Sequence, residues 1–167
     1  MKKSLCLFTI LAFATLSFAQ VSTYILVRHA EKDTTAQGSK MMASDPPLSK
    51  DGEQRAIDLV GALKDYSIDG IFSTDYARTK STATPISKKS GKAIQTYSPK
   101  DLKTFVDQLL LQKGKTILIV GHSNTTPALA NLLLKEEKFK ALDEAVYNKI
   151  FIITVNGDKA ESKVLEY

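Results

Sequence analysis

Short apolar runs that are typical of buried strands alternate along the chain with segments of helical periodicity. The strand-like runs are rich in aliphatic residues and lie at 22–28, 68–73, 93–97 and 116–120. The helical segments are predicted to begin near Ser49, Asp75, Asp101 and Thr125. Alternating strands and helices favour a parallel sheet covered on both faces. The sequence therefore predicts an α/β fold, a three-layer sandwich with a mostly parallel central sheet.

The last part of the chain has a different pattern. Two strand-like runs, 150–155 and 159–165, flank Asn156-Gly157, a dipeptide typical of tight hairpin turns. This predicts an antiparallel hairpin at the edge of the sheet.

Both ends of the helix that begins near Asp75 are also predicted. Asp75 is expected to be its N-cap, and Gly91 is expected to end it. Pro85 is expected to kink this helix or to end it early.

The first 19 residues have the three-part pattern of a secretory signal peptide. Lys2 and Lys3 precede a nearly continuous apolar run, and Ser17 and Ala19 are small residues where a signal peptidase cleaves. The alternative is a membrane anchor, but the run is shorter than the roughly 20 residues that a spanning helix needs. We therefore expect a mature domain of residues 20–167, exported to the periplasm or secreted, without stable membrane insertion.

Composition narrows the chemistry of the mature domain. The only cysteine, Cys6, lies in the predicted signal peptide, so no disulfide, thiolate metal site or cysteine nucleophile is expected after cleavage. Loss of Lys2 and Lys3 lowers the formal charge from +5 to +3. Such an excess of positive charge suits an anionic substrate, but it is too small and too dispersed along the sequence to predict nucleic-acid binding. We expect no metal and no other cofactor.

The chain contains two histidines, and each follows a strand-like run. His29 comes after 22–28, and His122 comes after 116–120. Ligands of such sheets bind beyond the carboxyl ends of the strands. If the two strands are neighbours, both imidazoles face one crevice. Arg28 lies beside the first histidine, and Arg78 lies in the first turn of a predicted helix, where anions are favoured. The four residues predict a phosphate-binding site.

Four motifs in this region resemble those of the histidine phosphatase (phosphoglycerate mutase-like) superfamily. They occur in the family's order and read LVRHAEK at 26–32, LSKDGEQRA at 48–56, FSTDYART at 72–79 and VGHSN at 120–124. The resemblance extends from about Tyr24 to Leu134. It implies a metal-independent phosphatase in which His29 is the nucleophile, and Arg28, Arg78 and His122 form the phosphate pocket. Further candidate substrate-binding residues are Glu31, Ser123 and Asn124, the last of which is alternatively only a helix cap.

The proton donor for the leaving group is left open by the sequence. Many relatives place a glutamate well after the second arginine, whereas this chain has none between Glu53 and Glu136. Asp101 lies nearest to the position of that glutamate in the relatives. The alternative is that Asp101 is only a helix N-cap. Glu31 and Asp33 are the other candidates. The resemblance thus leaves the catalytic acid unassigned among three carboxylates.

Three functions are compatible with these residues. The first is an exported phosphatase acting on a phosphorylated small molecule or phosphoprotein, in which the loop from Lys32 to Leu48 forms much of the pocket wall. The second is a phosphoglycerate mutase-type phosphotransferase, and the third is a non-catalytic phosphate-binding module. Nothing in the sequence predicts the physiological substrate or an oligomeric state.

Overall fold

A six-stranded sheet forms the centre of the protein in a computed structural model that describes residues 20–34 and 44–167. The strands are β1 (Ser22–Arg28), β2 (Gly70–Thr74), β3 (Ile94–Tyr97), β4 (Thr116–Gly121), β5 (Lys149–Asn156) and β6 (Lys159–Glu166). The helices are α1 (Lys50–Ala62), α2 (Ala77–Ser90), α3 (Leu102–Leu110) and α4 (Thr125–Leu134). The strand order is β3-β2-β4-β1-β5-β6.

The direction of the strands confirms the predicted mixed sheet. Neighbouring strands among β1 to β4 are parallel, whereas β5 is antiparallel to β1 and to β6. Asn156 pairs with Lys159 across a two-residue turn in which Gly157 has a φ of 61°. Glycine adopts this left-handed conformation without a steric cost, which explains the Asn-Gly pair in the sequence.

Two hydrophobic cores lie on opposite faces of the sheet and complete the three layers. One face packs against α3 and α4, with Phe105, Leu109 and Leu129 among its buried residues. The other packs against α1 and α2, with Leu59 and Ile86 among its buried residues. Strands that are buried on both faces must be apolar at nearly every position, which explains the continuous aliphatic runs in the sequence.

The start of α2 differs from the prediction. Its N-cap is Tyr76, which makes no side-chain capping hydrogen bond, so the prediction of Asp75 as the cap is wrong. The carboxylate of Asp75 pairs instead with Lys80. The helix also continues through Pro85 to Ser90, because its buried face packs on the sheet and offsets the cost of a proline. Gly91, at a φ of 70°, ends the helix as predicted.

Two predictions concern parts of the chain outside the described residues. The signal peptide, residues 1–19, is one of them. Residues 35–43, which make up much of the predicted pocket-wall loop, are the other. Across 20–34 and 44–167, no helix is both long and apolar enough to cross a membrane.

Candidate active site

The register of two neighbouring strands brings the two histidines together. Arg28 at the end of β1 pairs with Gly121 at the end of the parallel strand β4. The next residues are therefore adjacent, and the amide of His29 donates to the Gly121 carbonyl at 2.9 Å. The imidazole centroids of His29 and His122 lie 5.4 Å apart, with the rings at 69°. The two histidines thus meet at the carboxyl ends of neighbouring strands, as the sequence predicts.

Gly121, the last residue of β4, is closely surrounded by the side chains that precede and follow the second histidine. A Cβ at this position would lie 2.8 Å from the hydroxyl oxygens of both Thr125 and Tyr97, closer than real Cβ contacts. The Thr125 hydroxyl in turn accepts a hydrogen bond from the His122 amide at 2.9 Å. Only glycine therefore permits the close packing that positions His122 at the start of α4.

His29 is held as a neutral imidazole with a defined tautomer. Its side chain is buried, and burial is the main reason that the pKa of His29 falls to about 3, with Arg78, Arg28 and His122 lowering it further. Nδ1 lies 2.8 Å from the carbonyl of Ala30, which can only accept a hydrogen bond. Nδ1 therefore carries the proton, and the lone pair of Nε2 is left for nucleophilic attack.

His122 is oriented by a chain of two threonine hydroxyls. The Thr74 hydroxyl at the end of β2 lies 2.9 Å from Nε2 of His122 and 3.0 Å from the hydroxyl of Thr79. The Thr79 hydroxyl donates to the carbonyls of Thr74 and Tyr76. Burial, followed by the charges of the two arginines, lowers the pKa of His122 to about 4. Both imidazoles are consequently neutral at physiological pH.

Arg28 is almost entirely buried, and most of its donors are already used. Its Nη1 donates to the carbonyls of Asp143, Glu144 and Val146, and its Nη2 contacts the Glu144 carboxylate at 3.1 Å. The guanidinium also lies 4.0 Å from the ring centroid of Tyr147. Nε is buried and has no hydrogen-bond partner within the described ranges. A buried N–H without a partner is costly, so this atom is available to an anion.

Arg78 lies in the first turn of α2, as predicted. Its guanidinium is 4.5 Å from the ring centroid of Tyr76, and that ring contacts His122 edge-on at 5.0 Å. Nη1 of Arg78 donates to the carboxylate of Asp45 at 3.0 Å. The same carboxylate accepts from the Ala77 amide at 2.8 and 3.1 Å. The Asp45 carboxylate thus already occupies the N-terminus of α2 and pairs with Arg78, two places where anions are favoured.

The loop after β1 is attached to α1 and α2. The Ala30 amide donates to the hydroxyl of Thr82 in α2 at 3.0 Å. The Glu31 carbonyl accepts from the Ser49 amide, and its carboxylate forms an ion pair with Arg55 of α1 at 2.7 Å. Burial acts to raise the pKa of Glu31, but the hydrogen bond from Arg55, a backbone hydrogen bond and the charges of Arg55 and Arg28 together outweigh it and lower this pKa. The carboxylate is thus held ionised by Arg55, and substrate binding by Glu31 stays a prediction.

The remaining predicted residues differ in their contacts. Asn124 is the N-cap of α4, accepting from the Thr125 amide at 2.9 Å, and the Ser123 carbonyl accepts from the Leu142 amide. Asp101 is exposed and caps α3 by accepting from the Thr104 amide. The cap interpretation of Asp101 is therefore confirmed, and none of its described contacts reaches the histidines. The backbone of Asp33 donates to the Pro47 carbonyl.

Sequence reasoning missed several residues around the histidines. Thr74 could have been found, because it ends a strand at the edge where ligands bind. Tyr147 and Glu144 come from a segment without regular periodicity, and Asp45 comes from a loop whose course the sequence does not reveal. In the described part of the chain, no group of three or more His, Cys, Asp or Glu residues could hold a metal ion.

Comparison with known proteins identifies a family that this chain resembles. The family model of the histidine phosphatase superfamily (branch 1) matches residues 24–103, which run from within β1 through α1, β2, α2 and β3 to the start of α3. The motif-based resemblance to this superfamily is therefore confirmed over these residues.

The individual proteins that this chain resembles are a probable mutase and two putative phosphatases. A 66-residue stretch is 38% identical to the probable phosphoglycerate mutase GpmB of Escherichia coli and covers 40% of this chain but only 31% of that protein. The putative phosphohistidine phosphatase SixA from Nakamurella multipartitia has a TM-score of 0.65 at 18% identity, covering 89% of this chain and 98% of the other. A putative α-ribazole-5′-P phosphatase from Escherichia coli has a TM-score of 0.69 at 15% identity, covering 87% and 97%. At such identities the solved structures establish the fold.

Proposed function

We propose that this protein is a metal-independent phosphatase that hydrolyses phosphomonoesters or related phosphoryl compounds through a phosphohistidine on His29. The observation that carries the proposal is the His29 ring itself. It is neutral, its Nδ1 proton is donated to the Ala30 carbonyl, and it faces His122 between two arginines. Such a ring is a nucleophile that needs no prior deprotonation.

The reaction has two steps. Nε2 of His29 attacks phosphorus, the bond to the leaving oxygen breaks, and that oxygen takes up a proton. Water then attacks the phosphohistidine, the N–P bond breaks, and inorganic phosphate is released with the histidine restored. A covalent intermediate divides one difficult hydrolysis into two easier steps.

Charge stabilisation in this site comes from the two arginines and the second histidine. Negative charge on the phosphoryl oxygens is stabilised by preorganised donors in a site with little water. The Nε–H of Arg28, which has no partner among the described residues, and the guanidinium of Arg78 are such donors. A bound phosphoryl group also favours the charged form of a neighbouring imidazole, so His122 gains a proton and a further hydrogen bond to donate.

The proposal is tested with 4-nitrophenyl phosphate, comparing the wild-type domain with His29→Ala and His29→Gln. We expect turnover by the wild type and loss of nearly all of it in both variants, while circular dichroism shows that they remain folded. The glutamine variant controls for the cavity that alanine leaves at this buried position. Equal activity in a folded variant and the wild type would rule out His29 as the nucleophile.

A phosphoglycerate mutase-type activity is the second candidate, favoured by the 38% identity to a probable phosphoglycerate mutase. The two activities differ in the acceptor of the phosphoryl group, which is water in a phosphatase and a substrate hydroxyl in a mutase. Incubation with 3-phosphoglycerate distinguishes them. Isomerisation without release of phosphate would assign the mutase, whereas release of phosphate without isomerisation assigns the hydrolase.

The substrate that we propose is a phosphorylated small molecule or a phosphoprotein. Support comes from the solved structures with this fold, whose names include a phosphohistidine phosphatase, an α-ribazole-5′-P phosphatase and a glucosyl-3-phosphoglycerate phosphatase. These substrates share the phosphoryl group and differ in the rest of the molecule. Release of phosphate from a panel of phosphohistidine peptide, sugar phosphate and phosphoserine would identify the class.

Export of the protein is a separate proposal, supported by the signal-peptide pattern of residues 1–19. We expect the mature protein to begin at Gln20. Expression of the full chain in a bacterial host, followed by fractionation and N-terminal sequencing, tests this. A cytoplasmic protein that retains its first 19 residues would contradict it and would leave the proposed chemistry unaffected.

A further inference from the structure

The reaction proposed above requires a proton for the leaving oxygen, and most carboxylates near the site are engaged elsewhere. Glu31 is held by Arg55, and Asp75 pairs with Lys80. Asp101 caps α3. The Glu144 carboxylate is 76% exposed and lies between Arg28 and Lys32, at 3.1 and 3.9 Å. Each of these side chains has a contact that explains its position without a role in proton transfer.

Asp45 is different, because its carboxylate contacts Arg78, a residue of the proposed phosphate pocket. It accepts from Nη1 of Arg78 at 3.0 Å and from the Ala77 amide, and its side chain is 34% exposed. It is also close enough to His122 for its charge to raise the pKa of that imidazole, against the larger effect of burial. The carboxylate is therefore on the Arg78 and His122 side of the phosphoryl position.

We propose that Asp45 is the proton donor of this enzyme. When Nε2 of His29 bonds to phosphorus, the electron pair of the breaking P–O bond stays on the leaving oxygen, which takes the Asp45 proton. The resulting carboxylate then accepts a proton from the water that attacks the phosphohistidine. The N–P electron pair returns to His29, and Asp45 is again protonated. This inference rests on the proposed phosphatase function.

The contact with Arg78 places the Asp45 carboxyl beside the proposed phosphate pocket. A bound phosphoryl group competes with this carboxyl for the guanidinium of Arg78, because both are hydrogen-bond acceptors. The carboxyl then lies next to the phosphoryl group and can contact the leaving oxygen.

The test measures how strongly activity depends on the leaving group. Phenyl phosphate and 4-nitrophenyl phosphate have nearly the same shape, but phenolate is much the poorer leaving group and needs the proton more. For Asp45→Asn we expect kcat/KM on phenyl phosphate to fall by ~10²–10⁴-fold, the range typical of a general acid, with a much smaller loss on 4-nitrophenyl phosphate. An asparagine oxygen still accepts from Arg78 and Ala77, so a selective loss cannot come from a displaced arginine.

Asp75→Asn is the matched control, since it makes the same chemical change at an exposed residue just before α2, and we expect wild-type activity on both substrates. Equal losses for Asp45→Asn on the two substrates would overturn the proposal and leave Asp45 as a residue that only positions Arg78. Selective loss in Asp101→Asn instead would assign the proton to Asp101. If the wild type hydrolyses neither ester, or His29→Gln retains full activity, the proposed function fails and this inference falls with it.

Discussion

Replacing Gly52 with alanine tests how the start of α1 supports the loop that carries His29. A Cβ at Gly52 would lie 2.2 Å from the carbonyl oxygen of Glu31, two residues after His29. Contacts under 3.0 Å are essentially never seen, so the helix and the loop must separate by about 0.8 Å. Gly61, in the same helix, has nothing within 4 Å of such a Cβ and provides the matched control.

The two substitutions should change stability in opposite directions. Overpacking costs roughly 1–3 kcal/mol, and alanine returns about 0.5–1 kcal/mol of helix propensity. We therefore expect Gly52→Ala to lower the free energy of unfolding by about 1–2 kcal/mol, whereas Gly61→Ala raises it by up to about 1 kcal/mol. Urea denaturation of both variants measures these differences.

Activity provides the second readout of the same perturbation. A misplacement of about 1 Å at a catalytic group can cost about 100-fold in rate. We expect kcat/KM of Gly52→Ala to fall by roughly 10- to 100-fold, because the displaced Glu31 carbonyl moves the loop that carries His29. The reasoning would be refuted if Gly52→Ala were as stable and as active as Gly61→Ala.

Two further predictions concern the histidines. The pKa of His29 is about 3 in the folded protein and 6.5 in the unfolded chain, so between these pH values the unfolded state binds the additional proton. The free energy of unfolding should therefore decrease as pH falls from 6.5 towards 3. Urea denaturation should show a smaller decrease for His29→Gln over the same pH range. The same pH dependence in both proteins would contradict the burial of a neutral His29 ring. Thr74→Val removes the hydroxyl that contacts Nε2 of His122 and leaves this half-buried ring nitrogen without that partner, at a cost of about 0.5–1.5 kcal/mol, the net contribution of one hydrogen bond. It should lower kcat more than it raises KM, and unchanged kinetics would show that Thr74 does not orient His122.

The residues at strand ends could be predicted from the sequence, because the topology follows from the periodicity. Once β1 and β4 are recognised as buried strands of one parallel sheet, His29 and His122 must follow them at the same edge. The prediction of Asp75 as a helix cap was wrong. A residue type that favours caps does not determine which acceptor reaches the helix N-terminus. Asp45, from a distant loop, provides that acceptor.

The partners of Arg28 show why contacts from irregular segments could not be predicted. The resemblance predicts that Arg28 binds phosphate, but three carbonyls of residues 143–146 and the Glu144 carboxylate take up most of its donors. Those residues lie more than 110 positions away in a segment without periodicity. Only tertiary structure shows that Nε has no hydrogen-bond partner among residues 20–34 and 44–167.

Trapping the phosphoenzyme tests the central claim most directly. The wild-type domain is mixed with 4-nitrophenyl phosphate, quenched with base within the first turnovers and digested for mass spectrometry. The account predicts a base-stable, acid-labile phosphoryl group on His29, absent from His29→Gln. A phosphoryl group on another side chain, or full turnover without any phosphoenzyme under conditions in which the second step is slow, would contradict it.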